Sequence, residues 1–192
     1  FPLPRPFHVL ATANPIEYEG TYPLPEAQLD RFLVRLAFGY PSLTEEWQVL
    51  TGRMARRTED HAIRAITDGA GVLAMQAAIE TVTVDDGVSQ YCVQLATATR
   101  RHAHVLVGAS PRGSLALLLC SRAYAVLSQR DYVTPEDVKA VAHPVLDHRI
   151  TLKPELWASD VTPAGVVDEV LGSTPTPGSG RSPADPSRWS SP

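Results

Sequence analysis

The sequence predicts a short α/β segment followed by an all-α domain, with helix dominating the whole. Three observations carry that expectation. Two runs of strand length, residues 7–13 (FHVLATA) and 33–38 (LVRLAF), lie near the start. From Ser42 onward, apolar residues recur at helical spacing behind one capping residue after another. From Ser173 to the end the chain is rich in Ser, Pro and Gly and shows no periodicity. The organisation expected is an α/β unit over 1–40, a helical domain over 41–172 and a disordered tail over 173–192.

Within the first unit, Pro25 sits where a first helical residue is expected, and Ala27, Leu29 and Phe32 offer an apolar face, so a short helix joins the two strands. Two strands and one brief helix cannot cover a core, and the rest of such a sheet is expected from a preceding segment. Ser42 with Glu45 reads as a capping box opening a helix to about Arg57, with Trp47, Leu50 and Met54 on one face. AGVLAMQAAIETV makes a second helix. Asp85 caps a third, through about Arg101, with Val88, Cys92 and Leu95 as its stripe. Ser110-Pro111 opens a fourth helix, through the SLALLLCSRAYAVLSQR stretch, and Thr134-Pro135 a fifth to about Ala142. A sixth covers Pro163–Leu171.

The chain has 192 residues, 44% of them hydrophobic, and a formal net charge of −4. That balance gives no general attraction to nucleic acid or anionic membrane, and the arginines are dispersed. Only Lys139 and Lys153 are lysines, an arginine bias that GC-rich coding explains as readily as planar anion contacts do. Cys92 and Cys120 fall inside helical patterns, which reads as inert buried thiols in a reducing compartment. With no apolar run of membrane-spanning length and no signal-like start, the chain reads as cytoplasmic, and its opening FPLPRPF as the middle of something longer.

Several familiar sites fail on inspection. GASPRGS (108–114) has glycine spacing like a phosphate loop, but no lysine follows and no suitable strand precedes it. It is no nucleophile elbow either, since Ser110 lacks the following glycine and opens a helix. His102 and His104, and His143 and His148, lack a matching set of Cys, His or carboxylate, and read as surface or packing residues; no metal site is expected. Glu17 and Glu19 read as a solvated acidic loop.

Three residues remain as candidates for phosphate chemistry. Asn14 stands at the carboxyl end of the first strand, where an amide can donate to a phosphate and accept from a water; an Asx-Pro turn would explain it as well. Arg31 precedes the second strand, where a fixed guanidinium could neutralise a transferring phosphoryl group, or simply pair with Asp30 or Glu26. Arg112 lies in the first turn of a helix, a place unfavourable to a cation unless an anion is bound there.

Two longer stretches carry a resemblance. VLATANPIEYEGTYPLPEAQLDRFLVRLAFGYPS resembles the sensor-1 to arginine-finger segment of MoxR-family AAA+ ATPases, and GASPRGSLALLLCSRAYAVLSQRDYVTPEDVKAVAHPVLDHRI resembles their sensor-2 lid segment. The resemblance implies the C-terminal part of a P-loop AAA+ core followed by a helical lid. It implies that Asn14 is sensor 1, Arg31 the arginine finger and Arg112 sensor 2. It further implies ATP and Mg²⁺ as cofactors, a homo-oligomeric ring, commonly a hexamer, and chaperone-like remodelling of a client protein alongside a von Willebrand factor A domain partner. Neither GxxxxGK[ST] nor an apolar run ending in Asp-Glu occurs in the chain. On its own it is therefore expected to hydrolyse no ATP. The competing expectation is a helical protein-interaction module that uses no nucleotide.

Overall fold

The computed structural model describes residues 1–13, 24–58 and 63–178. Its elements, in order, are α1 (Glu26–Leu29), α2 (Leu43–Arg56), α3 (Gly69–Glu80), α4 (Asp86–Arg101), β1 (Val105–Val107), α5 (Pro111–Leu127), α6 (Pro135–Leu146), β2 (Thr151–Leu152) and α7 (Pro163–Ser173). Short 3₁₀ turns cover Asp147–Arg149 and Pro154–Leu156. No described helix is long and apolar enough to cross a membrane.

The helix starts follow the caps. Ser42 and Glu45 form the reciprocal capping box of α2, and Thr134 and Asp137 form another on α6. Asp85 accepts from the Gly87 N–H, Ser110 from Arg112, and Thr162 from Gly165. α6 runs past Ala142 to Leu146 with Pro144 inside it, so the fifth helix is a turn longer than its pattern suggests.

The core lies among α4, α5, α6 and α7. Tyr91, Leu95, Leu117, Val138, Val145, Leu146, Val166 and Val167 are fully buried there. Val88, Cys92 and Leu95, the predicted stripe of α4, all point into it. Burial pushes the Cys92 thiol up to about 11 and the Cys120 thiol in the same direction, and both cysteines are free, as an inert role requires. β1 and β2 pair antiparallel, a two-stranded element with no counterpart in the expected layout. Arg122 on α5 donates to the Glu80 carboxylate and to the carbonyls of Glu80 and Val82, tying α3 to the bundle.

The two expected strands do not form. Residues 7–13 and 33–38 form no strand among the described residues; Val9, Leu10, Leu36 and Phe38 are exposed. A strand acquires its backbone partners from neighbouring strands, and none flanks these runs among the described residues. The Arg35 N–H instead donates to the Pro144 carbonyl at 2.8 Å. The apolar face of α2 is also unburied: Trp47, Leu50 and Met54 are 63, 61 and 75% exposed. Of the predicted tail, 174–178 is irregular and 179–192 lies outside the described residues.

The division of labour is measurable by chemical denaturation. Leu95→Ala is expected to cost about 2–5 kcal/mol, whereas Trp47→Ala should stay within about 0.5 kcal/mol. Comparable losses at both positions would place α2 inside the same cooperative core.

Candidate functional site

The site forms where the turn after α1 meets the N-terminus of α5 and the end of α6. Asp30 is its node. One carboxylate oxygen, Oδ2, accepts from the Ser110 hydroxyl at 3.0 Å and from Arg112 Nη1 at 3.2 Å. The other, Oδ1, accepts from Arg149 Nε at 3.1 Å. Ser110 is at once the N-cap of α5 and a donor to Asp30, so the helix start and the α1 turn share one hydroxyl. The positive end of α5 thus faces a carboxylate held against it.

Arg149 grips the same turn through its backbone. Its Nη2 donates to the Asp30 carbonyl at 3.2 Å and to the Phe32 carbonyl at 2.6 Å. Its Nη1 donates to the Leu33 carbonyl at 3.3 Å and also reaches the Val145 carbonyl. The side chain is 1% exposed. Burial pulls its pKa down, and the Asp30 carboxylate opposes that pull. Gly113 makes room for it: a Cβ there would meet the Ala109 Cβ at 3.0 Å and the Arg149 Cδ at 3.4 Å. Gly108 likewise permits close packing, because a Cβ would lie 2.6 Å from the Arg100 backbone nitrogen. The strand that precedes Gly108, β1, is three residues long and antiparallel, not the kind a phosphate loop needs; both glycines of GASPRGS serve close approach and the loop lacks its lysine.

His148 lies beside Arg149. Its Nε2 is 2.8 Å from Arg149 Nη1 and 3.3 Å from the Phe32 carbonyl oxygen. Arginine only donates, so the shorter contact makes Nε2 an acceptor and places the ring proton on Nδ1, which is buried without a partner. Burial first, and then the Arg149 charge, hold the imidazole pKa below its ordinary value.

The predicted site residues fare differently. Asn14 lies outside the described residues, as do Glu17 and Glu19. Arg31 is exposed in the turn that Arg149 grips, and its side chain pairs with neither Asp30 nor Glu26 among the described residues. Glu26 instead accepts from Thr151 at 2.8 Å. Arg112 is 53% exposed and finds its anion in Asp30. Sequence reasoning missed Asp30 as the shared acceptor and Arg149 as the clamp. The one local signal was an arginine directly before apolar Ile150, three residues past Leu146 at the end of a helix. It also missed that Glu169 on α7 supplies the carboxylate that His102 and His104 lack in their own stretch, with His102 Nε2 2.9 Å from Glu169 Oε2.

Residues 1–34 match the model of the ATPase family associated with various cellular activities (AAA), and residues 97–170 match the AAA lid domain. YeaC of Bacillus subtilis is 42% identical over 178 residues, covering 91% of this chain and 54% of YeaC. The chaperone MoxR1 of Mycobacterium tuberculosis is 39% identical, covering 92% of this chain and 48% of MoxR1. A crystal structure from Cytophaga hutchinsonii, described as a "putative ATPase", superposes with a TM-score of 0.85 at 35% identity, covering 93% of this chain and 56% of that one. The chain spans about half the length of the curated relatives it matches.

The depressed His148 pKa has a thermodynamic signature. An unfolded histidine takes up its proton near about pH 6.5, while the folded ring resists until lower pH. Stability is therefore full above the unfolded value and is lost as pH falls from there through the folded pKa. His148→Gln should show a smaller drop in urea midpoint than the parent chain between about pH 7.5 and about pH 5.5. An identical drop in both would remove His148 as a source of the acid sensitivity.

Proposed function

We propose, for a chain that belongs to the MoxR family of AAA+ ATPases, that these residues supply the part of a chaperone-like ATPase that reads the nucleotide and passes its state to a helical lid. The observation that carries this reading is the convergence of Arg112 and the Arg31-bearing turn on Asp30 at the start of α5. A helix N-terminus with an arginine in its first turn suits an anion, and Asp30 stands there as a carboxylate in place of one.

In this reading the residues 1–40 belong to the end of the AAA+ core and 41–172 to the lid. Arg112 is the sensor-2 arginine, able to leave its exposed pairing with Asp30 for a phosphate. Asn14 is the sensor-1 amide that orients the attacking water. Arg31 is the finger that enters a neighbouring subunit's site and neutralises charge on the transferring group. ATP supplies the phosphoryl group and Mg²⁺ offsets its charge. Both would be cradled mainly by residues other than these 192, which contain no GxxxxGK[ST] motif. The assembly is a ring, commonly a hexamer, acting in the cytoplasm on a client protein alongside a von Willebrand factor A domain partner. Arg149 makes the lid and the finger-bearing turn move together, because it bonds three carbonyls and a carboxylate of 30–33 from the end of α6.

The test is Arg31→Ala in a ring that carries the phosphate loop. Hydrolysis is expected to fall by about 10³–10⁵ with nucleotide affinity largely kept. Equal loss of both would make Arg31 a structural residue, and no loss of either would remove it from the site.

A further inference from the structure

We propose that His102, His104 and Glu169 form a binding site for one zinc-class divalent metal ion, separate from the Asp30 node. His102 ends α4, His104 immediately precedes β1, and Glu169 projects from α7. Each offers one donor atom, and the three donors lie within 4.8 Å of one another. The His102 and His104 rings meet edge to face with centroids 5.2 Å apart. His102 Nε2 and Glu169 Oε2 are already 2.9 Å apart. Two ligand atoms about 2.0–2.1 Å from a tetrahedral zinc stand about 3.3–3.4 Å apart, so this pair needs little change and the third donor closes by side-chain rotation.

A second observation comes from His104. Its Nδ1 is buried without a hydrogen-bond partner. A buried polar atom left unpaired costs free energy, and most such atoms have a reason to be there. Two imidazoles and one carboxylate form a borderline donor set that suits zinc over magnesium or calcium. Glu169 is 64% exposed, which leaves the outer side of the ion open to water.

Without metal, the His102 Nε2 proton serves Glu169, and the His104 N–H donates to His102 Nδ1 at 3.3 Å. An ion at Nε2 moves that ring proton to Nδ1 and gives up the long backbone contact. The bound ion would staple α7 to the α4–β1 junction. His143 also sits between two carboxylates, Asp147 at 3.1 Å and Asp168 at 3.2 Å, but these occupy opposite ring nitrogens and cannot converge on one ion.

The experiment titrates zinc, and then cobalt as a visible probe, into the chelator-treated 192-residue chain by calorimetry and absorption. One ion per chain is expected, with four-coordinate cobalt bands. Affinity should fall at least about tenfold in Glu169→Gln and in His104→Ala, since even an outer-shell loss costs that much, while His143→Gln binds as the parent does. Zinc should raise the melting temperature of the parent and not of Glu169→Gln, whose exposed position leaves the fold intact. No stoichiometric uptake at micromolar zinc, or equal uptake by Glu169→Gln and the parent, would overturn the site.

Discussion

A guanidinium that cannot shed its charge is buried at the end of α6, and the turn after α1 is what satisfies it. Arg149 has one carboxylate and several carbonyls around it, and those from residues 30–33 belong to a different part of the chain. Removing one partner of such a buried pair typically costs about 3–5 kcal/mol, against about 0–1 kcal/mol for an exposed pair. The same carboxylate therefore holds two arginines of unequal standing. Arg149 is fixed, whereas Arg112, more than half exposed, can exchange partners at little cost.

That inequality orders the rest of the site. Ser110 caps α5 and donates to Asp30, so the position of the helix start is coupled to the α1 turn. Gly113 leaves room for the Arg149 side chain beside α5, and His148, its pKa lowered by burial and by the neighbouring charge, accepts from the guanidinium rather than competing with it. An anion that drew Arg112 away would leave Asp30 still clamped by Arg149. The lid could respond to the anion without letting go of the turn that carries Arg31.

Local chemistry made the helical domain legible. Caps at Ser42, Asp85, Ser110 and Thr134 and the stripe Val88–Cys92–Leu95 depend on residues within a turn or two, and they read correctly from sequence. Pairing across the chain did not. β1 and β2 are three and two residues long, too short for periodicity to register. The Arg149–Asp30 and His102–Glu169 contacts join residues 119 and 67 positions apart. Among the described residues the runs 7–13 and 33–38 have strand composition without strand neighbours, so pattern alone did not decide their conformation, and the stripe on α2 has helical spacing without a covering surface. Arg112 was readable as a cation awaiting an anion, though not that Asp30 would be the anion in place. Local position offered Arg31 either a phosphoryl or a salt-bridge role, and the family resemblance, rather than spacing, chose between them.

The clamp is tested most directly by amide hydrogen exchange in Arg149→Met. The account predicts that the Arg31 and Phe32 amides, bonded to the Gln28 and Leu29 carbonyls, lose protection while the α4 and α5 core amides keep theirs. Unchanged protection at Arg31 and Phe32 would mean that the turn holds its shape without the guanidinium, and the coupling of lid to turn would have to be abandoned.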